Sequence, residues 1–279
     1  IMKRIYDEWS NKVSKTMTNQ YSTSFSFSSR LLSKNIRNDI YAIYGLVRLA
    51  DEIVDSFHDY DKEQLLIDLK NDYNKAIDMK ISLNPILNSF QSVYHRYNFE
   101  PYLVEKFFES MQMDLDPSKY NCKLYDRYIH GSAEVVGLMC LKVFVNGDEE
   151  KYLDLKESAM KLGSAFQKVN FLRDIEYDSK ELGRIYFPNI DINQMTDVEK
   201  SIIIRDIEND FSDSLIGLKK LDKDSFFGVY VAYVYYRELL KKIKNLNVSK
   251  LYSTRIRINN FKKIGLVCRS AIKVNLGMF

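Results

Sequence analysis

The 279-residue sequence has few residues that interrupt helices, with only ten Gly and four Pro. Hydrophobic residues make up 46% of it, which is enough for a sizeable core. Internal repeats, Gly/Ser-rich linkers and low-complexity tails are absent. We therefore predict an all-α protein whose residues 1–279 form a single domain.

Cysteine is also scarce, and Cys122, Cys140 and Cys268 have no CxxC spacing. This argues against a disulfide framework or a zinc site and favours a reducing cytoplasm. We expect no signal peptide, and no uncharged apolar run approaches the roughly 20 residues that a membrane-spanning helix needs. The net charge is only +3, with 41 basic and 38 acidic residues, and therefore does not indicate a nucleic-acid-binding surface.

Apolar residues recur at three- and four-residue intervals, which predicts near ten helices. Breaks are expected near Pro85, Pro101, Pro117 and Pro188. The segment Val229 to Tyr236 has the composition of a strand, but we predict a helix there. The predicted helical ranges are 3–19, 38–55, 62–78, 86–98, 102–113, 122–145, 149–178, 196–220, 224–246 and 254–274.

Two aspartates, Asp51 and Asp55, lie four residues apart in the segment Arg48-Leu-Ala-Asp-Glu-Ile-Val-Asp55. On a helix their carboxylates project from one face, about one turn apart, and repel each other. Their neighbours are too apolar for an ordinary solvated stripe, so we expect a cation there. The alternative is a surface turn whose aspartates bond to Lys or Arg elsewhere.

A second polar stripe lies in the segment 167–178, where Gln167, Asn170, Asp174 and Asp178 share one helical face. Magnesium prefers hard oxygen ligands and is commonly held by one or two carboxylates together with substrate phosphates. Two facing Asp-x-x-x-Asp helices would supply such ligands. Two unrelated surface pairs are the alternative interpretation.

These segments resemble the squalene and phytoene synthase family, and the resemblance spans nearly the whole sequence. Tyr41-Ala-Ile-Tyr44 followed by Arg48-x-x-Asp51-x-x-x-Asp55 is similar to the family's first aspartate-rich motif, and Asn170-x-x-Arg173-Asp174-x-x-x-Asp178 to its second. Gly183-Arg-Ile-Tyr-Phe-Pro188, Ser22-Thr-Ser-Phe-Ser26 and Met113-Asp114 resemble further family segments. The resemblance is closest to bacterial phytoene synthases and implies an isoprenoid-synthase-type helical bundle around a central cavity.

The resemblance also implies a reaction, the head-to-head condensation of two prenyl diphosphates through a cyclopropyl diphosphate intermediate. We expect two geranylgeranyl diphosphates to give phytoene in carotenoid biosynthesis. Two or three Mg²⁺ ions bridged by substrate diphosphate are expected, and NADPH is not. The metal would neutralise the leaving diphosphate, and aromatic or apolar walls would shield the carbocation from water.

The expected site residues fall into four groups. Catalytic roles are expected for Asp51, Asp55, Asp174, Asp178 and Tyr128, and metal ligation for the four aspartates and Asn170. Substrate contacts are expected for Phe25, Tyr44, Arg48, Gln167, Asn170, Arg173, Arg184, Tyr186 and Tyr235. Phe25, Tyr44, Tyr128, Phe166 and Tyr235 are candidates for the apolar lining, although most aromatics of the sequence must be plain core.

Three arginines are of interest for phosphate contact. Arg48 and Arg173 could each instead orient an aspartate, and we favour phosphate contact for Arg48. Arg184 and Tyr186 are expected to close over the same diphosphate. The basic residues that could assist them, with a solvated or membrane-facing patch as the alternative, are Arg255, Arg257, Lys262 and Lys263.

One segment departs from the commoner family pattern, because Ser132 and Glu134 stand between the matching Tyr128 and Gly137. Glu134 should either pair with a cation or face away from the substrate. His58, His95 and His130 have no metal or triad spacing, and His130 is the one that merits a test.

Alternatives within the enzyme class are squalene synthase, which needs a nicotinamide, and dehydrosqualene synthase, which takes fifteen-carbon substrates. A catalytically silent helical assembly protein is the alternative from another class, and retention of all four aspartates argues against it. We expect a cytoplasmic monomer or weak dimer that binds prenyl diphosphates and no nucleic acid. Peripheral contact with the inner membrane face is expected through a rim that interleaves apolar and basic residues, namely Ile256, Ile258, Phe261 and Ile264 with Arg255, Arg257, Lys262 and Lys263.

Overall fold

The architecture comes from a computed structural model that describes residues 2–116, 121–184, 186–188, 195–253 and 255–278. Pro117, Ile185 and Thr254, which fall within the motifs and ranges named above, lie outside these residues. The described residues form α-helices and one π-helical turn, without a β-strand. The helices are α1 (Met2–Tyr21), α2 (Thr23–Ser29), α3 (Lys34–Ser56), α4 (Lys62–Met79), α5 (Pro85–Arg96), α6 (Pro101–Leu115), α7 (Cys122–Ile129), α8 (Val135–Phe144), α9 (Glu149–Lys180), α10 (Asp197–Leu218), α11 (Lys223–Lys244), α12 (Val248–Leu251) and α13 (Asn260–Asn275), and the π-helical turn is His130–Glu134.

The prediction of an all-α protein is confirmed, and the segment Val229 to Tyr236 is helical as predicted, within α11. The range 122–145 was predicted as one helix but contains α7, the π-helical turn and α8. The short helices α2 and α12 were not predicted, because segments of seven and four residues are too short to show a helical period.

Local sequence fixes where several helices begin. Asn84 caps α5 by accepting from the backbone N–H groups of Ile86 and Leu87, and Pro85 supplies a preset φ at the first helical position. Thr196 and Glu199 form a reciprocal capping box at the start of α10. These caps satisfy backbone donors that would otherwise have no intrahelical partner.

The longest helix, α9, packs against α8, α10, α11 and the π-helical turn, while α3 packs against α1, α5 and α8. A continuous core joins these helices and includes the fully buried Leu46, Leu138, Val169 and Leu172. The described helices therefore form one bundle. None of them has both the length and the hydrophobicity required to cross a membrane.

A buried polar seam fixes the rotation of α9 about its axis. Asp210 on α10 accepts hydrogen bonds from Lys168 Nζ at 2.7 Å, Ser164 Oγ at 2.8 Å and Lys161 Nζ at 3.0 Å. Because Lys161, Ser164 and Lys168 face α10, the stripe that begins at Gln167 lies about 100° farther round the helix. That stripe is thereby left available to the interior of the bundle.

Glycine allows the π-helical turn to approach α9 closely. A Cβ atom at Gly163 would lie 2.5 Å from the carbonyl oxygen of Ala133, which is too close for the backbone to accommodate without moving. We expect Gly163→Ala to lower the free energy of unfolding by about 1–3 kcal/mol, since overpacking forces backbone shifts. Urea denaturation would measure this loss.

The matched control is Gly265→Ala on α13, where an added Cβ meets nothing within 4 Å. That variant should hold or gain about 0.5–1 kcal/mol, because alanine restricts the unfolded chain more than glycine does. Equal effects of the two substitutions would contradict the proposed close contact at Gly163.

Candidate active site

The first aspartate pair lies in the last turns of α3. Arg184, which follows α9, donates from Nη1 to Asp55 Oδ1 at 2.6 Å and from Nη2 to the carbonyl oxygen of Val54 at 3.3 Å. The guanidinium is almost fully buried. Arg184 therefore ties the segment after the second motif to the first motif.

The second pair continues the polar stripe of α9. Arg173 makes a two-pronged contact with Asp174, and Arg255 Nε lies 2.8 Å from Asp174 Oδ1. Farther back along the stripe, Asn170 donates to Gln167 Oε1 at 3.4 Å and accepts from the Tyr236 hydroxyl at 3.3 Å. Arg173 is thus placed to orient an aspartate, which was one of its two predicted roles.

The carboxylates of the two motifs are close enough to influence one another. Removal from water, followed by repulsion from Asp55, raises the pKa of Asp51 to about 7. For Asp178, removal from water followed by repulsion from Asp174 raises the pKa to about 8, with further contributions from Asp55 and Asp114. Four carboxylates from two helices therefore share one region of negative potential, and Arg184 offsets only part of it.

Asp114, at the end of α6, completes this cluster. Its Oδ1 lies 3.3 Å from Arg184 Nε, and its Oδ2 accepts a hydrogen bond from Tyr128 at 2.8 Å. Burial raises the pKa of Asp114 to about 7, while Arg184 and Tyr128 act in the opposite direction. Tyr128 also lies against Tyr186, whose ring stacks on Phe171 with centroids 3.9 Å apart.

Arg48 was predicted to contact phosphate, and in this structure it bonds to Glu52 on the next turn of α3. Its guanidinium also lies over the Tyr21 ring, 4.6 Å from the centroid. The Nε atom is buried and has no hydrogen-bond partner in the structure. One donor of Arg48 is therefore left unsatisfied beside the first motif.

An apolar cavity of about 250 Å³ lies beside the polar stripe. It follows α9 from Gln167 back to Leu155, a distance of about 18 Å at the helical rise per residue. The other walls come from α2, α3, the π-helical turn, α8, α10 and α11. The residues that line the cavity include Ser24, Phe25, Ser28, Phe166, Gln167, Tyr235 and Tyr236.

Of the five aromatic residues that were predicted to line the cavity, three do so. Phe25, Phe166 and Tyr235 line the cavity. Tyr44 stacks on Phe25 with centroids 4.7 Å apart. Tyr128 lies instead in the cluster around Asp114 and Phe171.

The donor set suits a hard divalent cation, because it consists of carboxylate oxygens whose mutual repulsion a cation would relieve. Among the residues that the structure describes, no group of three or more His, Cys, Asp or Glu side chains is arranged to hold a metal ion. Oxygen ligands from another molecule would have to complete the coordination. The site residues fit magnesium held jointly with a diphosphate.

A family model for squalene/phytoene synthases matches residues 18–262. The chain belongs to this family. Its members are prenyltransferases, and both aspartate motifs fall within the matched range.

Relatives and solved structures agree with this membership. The chain is 24% identical to a phytoene synthase from Arthrospira platensis, over 91% of this chain and 90% of that protein. It is 26% identical to chloroplastic phytoene synthase 1 from Solanum lycopersicum, over 88% of this chain and 63% of that protein. Thus the chain spans less than two thirds of the tomato protein.

The fold resembles that of a dehydrosqualene synthase solved in complex with a ligand, with a TM-score of 0.83 and 20% identity over 96% of this chain and 98% of that chain. A squalene synthase from Alicyclobacillus acidocaldarius gives a TM-score of 0.75 and 18% identity over 89% of this chain and 96% of that chain. At these identities the likeness shows the fold, which confirms the predicted isoprenoid-synthase-type bundle.

The departure from the commoner family pattern has a local explanation. Glu134 Oε2 lies 2.8 Å from His130 Nδ1, and His130 Nε2 lies 2.6 Å from the Tyr102 hydroxyl. Ser132 donates to the carbonyl oxygen of Tyr128 at 2.8 Å. Glu134 therefore has a hydrogen-bond partner in His130, one turn earlier in the chain.

The predicted site residues did not include Tyr236 or Asp114, and Arg255 was named only as one of several basic residues that could assist diphosphate binding. Asp114 was noted only as part of a short signature, although it bonds both Tyr128 and Arg184. Tyr236, rather than Tyr235, stacks on Phe166 with centroids 4.1 Å apart and bonds Asn170. Arg255 contacts Asp174, and no local pattern pairs residues so far apart in sequence.

The predicted basic and apolar rim is only partly correct. Ile256 and Ile258 belong to the core, and Lys263 is buried with Nζ 3.1 Å from Thr23 Oγ1. Phe261 and Ile264 are exposed as predicted. The error arises because residues 255–259 precede α13 and turn their apolar side chains inward.

Proposed function

We propose that this prenyltransferase joins two prenyl diphosphates head to head, and that geranylgeranyl diphosphate is its substrate and phytoene its product. The observation that carries this proposal is the meeting of two aspartate pairs at the polar end of an apolar cavity. The relatives named above as phytoene synthases cover most of the chain and support the twenty-carbon substrate. We further propose that the enzyme works in the cytoplasm as a monomer or weak dimer.

In this mechanism Asp51, Asp55, Asp174 and Asp178 would hold magnesium together with the diphosphate, and Asn170 would be a further oxygen ligand. When bound, magnesium neutralises the charge that develops on the leaving diphosphate. Tyr128 acts by holding Asp114, which in turn positions Arg184 beside Asp55. Arg184 then supplies a fixed positive charge next to the carboxylates.

The hydrocarbon chains would lie in the apolar cavity, with Gln167 at the point where the cavity meets the stripe. Phe25, Phe166, Tyr235 and Tyr236 present aromatic rings that stabilise a carbocation without attacking it. Tyr44 supports Phe25 by stacking, and Tyr186 supports Phe171, which lies one helical turn from Gln167 and from Asp174 on α9. Exclusion of water from these walls protects the intermediate cation.

Magnesium should bind tightly only when diphosphate is present, because the residues that the structure describes do not by themselves supply a complete set of ligands. Binding should also strengthen as pH rises from 6 to 8.5, since Asp51 and Asp178 must lose protons to coordinate and their pKa values are about 7 and 8. Each proton released contributes up to about tenfold per pH unit. Calorimetry with magnesium, with and without pyrophosphate, would measure both effects, and tight binding of magnesium alone would contradict a diphosphate-bridged site.

Substrate length is tested by incubating the enzyme with magnesium and labelled farnesyl or geranylgeranyl diphosphate, each with and without NADPH. The expected product is phytoene from the twenty-carbon substrate, with or without NADPH. Dehydrosqualene from the fifteen-carbon substrate alone would overturn the chain-length assignment. Squalene formed only with NADPH would overturn the product assignment.

A further inference from the structure

The charge of the chain is unevenly distributed along the sequence. Ten of its 41 Lys and Arg residues lie after Glu238, and none of its 38 Asp and Glu residues does. Although the net charge of the chain is small, the segment 239–279 is strongly basic. Such an asymmetry indicates a surface that attracts anions.

Within this segment α13 has a buried inner face and, separate from it, an exposed apolar stripe. Its inner face packs on the bundle through the buried Lys263, Leu266 and Ser270. On the opposite side an outer stripe of exposed residues follows the helical period, consisting of Phe261, Ile264, Cys268, Ile272 and Leu276. The Phe261 side chain is 89% exposed, so this stripe is not part of the core of the bundle.

Basic residues border the outer stripe. Lys262, Arg269 and Lys273 follow one flank of α13. Next to its first turn is a recess lined by Lys241, Lys242 and Arg257, where Glu238 is the one acidic lining residue and is paired with Lys262 at 2.5 Å.

We propose that the outer stripe of α13 and its basic flank dock the protein on an anionic phospholipid bilayer. An apolar stripe bordered by Lys and Arg is the pattern of a helix that lies in the plane of the headgroups. Association of two copies through this face would bring like-charged flanks together, which is unfavourable. RNA binding would leave five apolar side chains exposed beside the phosphates.

Docking through α13 would bring the bilayer close to the apolar cavity that is proposed to hold the prenyl chains. Only this link between docking and catalysis rests on the proposed function. The inner-face residues Lys263 and Leu266 line a narrow gap together with Ser24, Ser28 and Tyr235. Those three residues also line the apolar cavity. A bilayer on the outer stripe would therefore be separated from the cavity by the thickness of one helix.

Cys268 lies in the middle of the outer stripe and allows a direct test. In the full-length Cys122→Ser protein, Cys268 is labelled with an environment-sensitive nitrobenzoxadiazole dye. Cys140 should react slowly, because burial raises the pKa of its thiol to about 12. The matched control is the Cys268→Ser protein labelled on the exposed Cys122 of α7.

Vesicles of phosphatidylcholine with one third phosphatidylglycerol should raise the fluorescence of the dye on Cys268 and leave that on Cys122 unchanged. Vesicles of phosphatidylcholine alone should bind at least tenfold more weakly, and salt should weaken the binding to anionic vesicles. No change at Cys268 with anionic vesicles would overturn the proposal. A change produced equally by a short RNA or by raising the protein concentration would also overturn it.

Two double variants separate the apolar and electrostatic contributions. Ile264→Ser with Ile272→Ser, and Arg269→Glu with Lys273→Glu, should each weaken vesicle cosedimentation about tenfold or more. The matched controls, Ile202→Ser with Ile216→Ser on α10 and Lys70→Glu with Lys156→Glu, should cosediment like the unaltered protein. Equal loss in test and control variants would contradict a specific docking face. The assay contains no substrate, so its outcome is independent of whether the proposed reaction occurs.

Discussion

Asp51→Asn should reduce kcat by about 10²- to 10³-fold, because the neutral amide removes a charged ligand of the proposed metal and diphosphate. Asp174→Asn should have a similar effect on turnover. The fold should survive in both variants, since asparagine has nearly the same volume as aspartate. Steady-state diphosphate release and circular dichroism would measure the two properties, with Asp213→Asn on the exposed face of α10 as control.

The effect of Asp51→Asn on stability depends on pH in a defined direction. The folded-state pKa of Asp51 is about 7, above the ordinary value of 3.8, so ionisation of Asp51 destabilises the folded protein as pH rises through this range. Asparagine avoids this cost, and the melting temperature should therefore rise more at pH 8 than at pH 5. For Asp174→Asn no gain is expected, because Asp174 has Arg173 and Arg255 as partners. Unfolding of Asp51→Asn at pH 8 would assign Asp51 a structural role instead.

Arg184→Met should be the most destabilising of the proposed substitutions. It removes a buried cation that lies 2.6 Å from Asp55 and 3.3 Å from Asp114 and leaves these carboxylates uncompensated. Breaking a buried pair in this way costs about 3–5 kcal/mol. In a chain of this size each kcal/mol lowers the melting temperature by about 2–4 °C.

The loss in Arg184→Met should be smaller at pH 5 than at pH 8. Burial already raises the pKa of Asp114 to about 7, and removal of Arg184 should raise it further, so at pH 5 the carboxyl is protonated and needs no cation. Calorimetric melting at the two pH values, compared with Arg205→Met on the exposed face of α10, would check this. A loss independent of pH would show that Arg184 stabilises the fold through its packing alone.

The sequence predicts which aspartates share a helical face, because the relevant information is local. A spacing of four residues places Asp51 with Asp55 and Asp174 with Asp178 on a shared helical face, whatever the rest of the chain does. The helical class follows similarly from the scarcity of Gly and Pro. Both predictions needed only the geometry of a single helix.

Other features depend on how distant elements meet, and the sequence does not reveal them. Asp114 joins the site because the end of α6 meets the segment after α9. In the run Val234-Tyr235-Tyr236, periodicity alone does not show which tyrosine would stack on Phe166. Similarly, the alternation from Arg255 to Ile258 suggests an exposed rim, yet Ile256 and Ile258 are buried because α13 begins only at Asn260.

The central claim is that the aspartates of α3 and α9 form one metal and diphosphate site. Crystals grown with Mn²⁺ and a prenyl thiodiphosphate that ionises slowly would test it, because manganese can be located by anomalous scattering. We predict manganese peaks between the two helices, bridged by thiodiphosphate oxygens and within coordination distance of Asp51 or Asp55 and of Asp174 or Asp178. Manganese bound elsewhere, or thiodiphosphate bound away from these aspartates, would contradict the account.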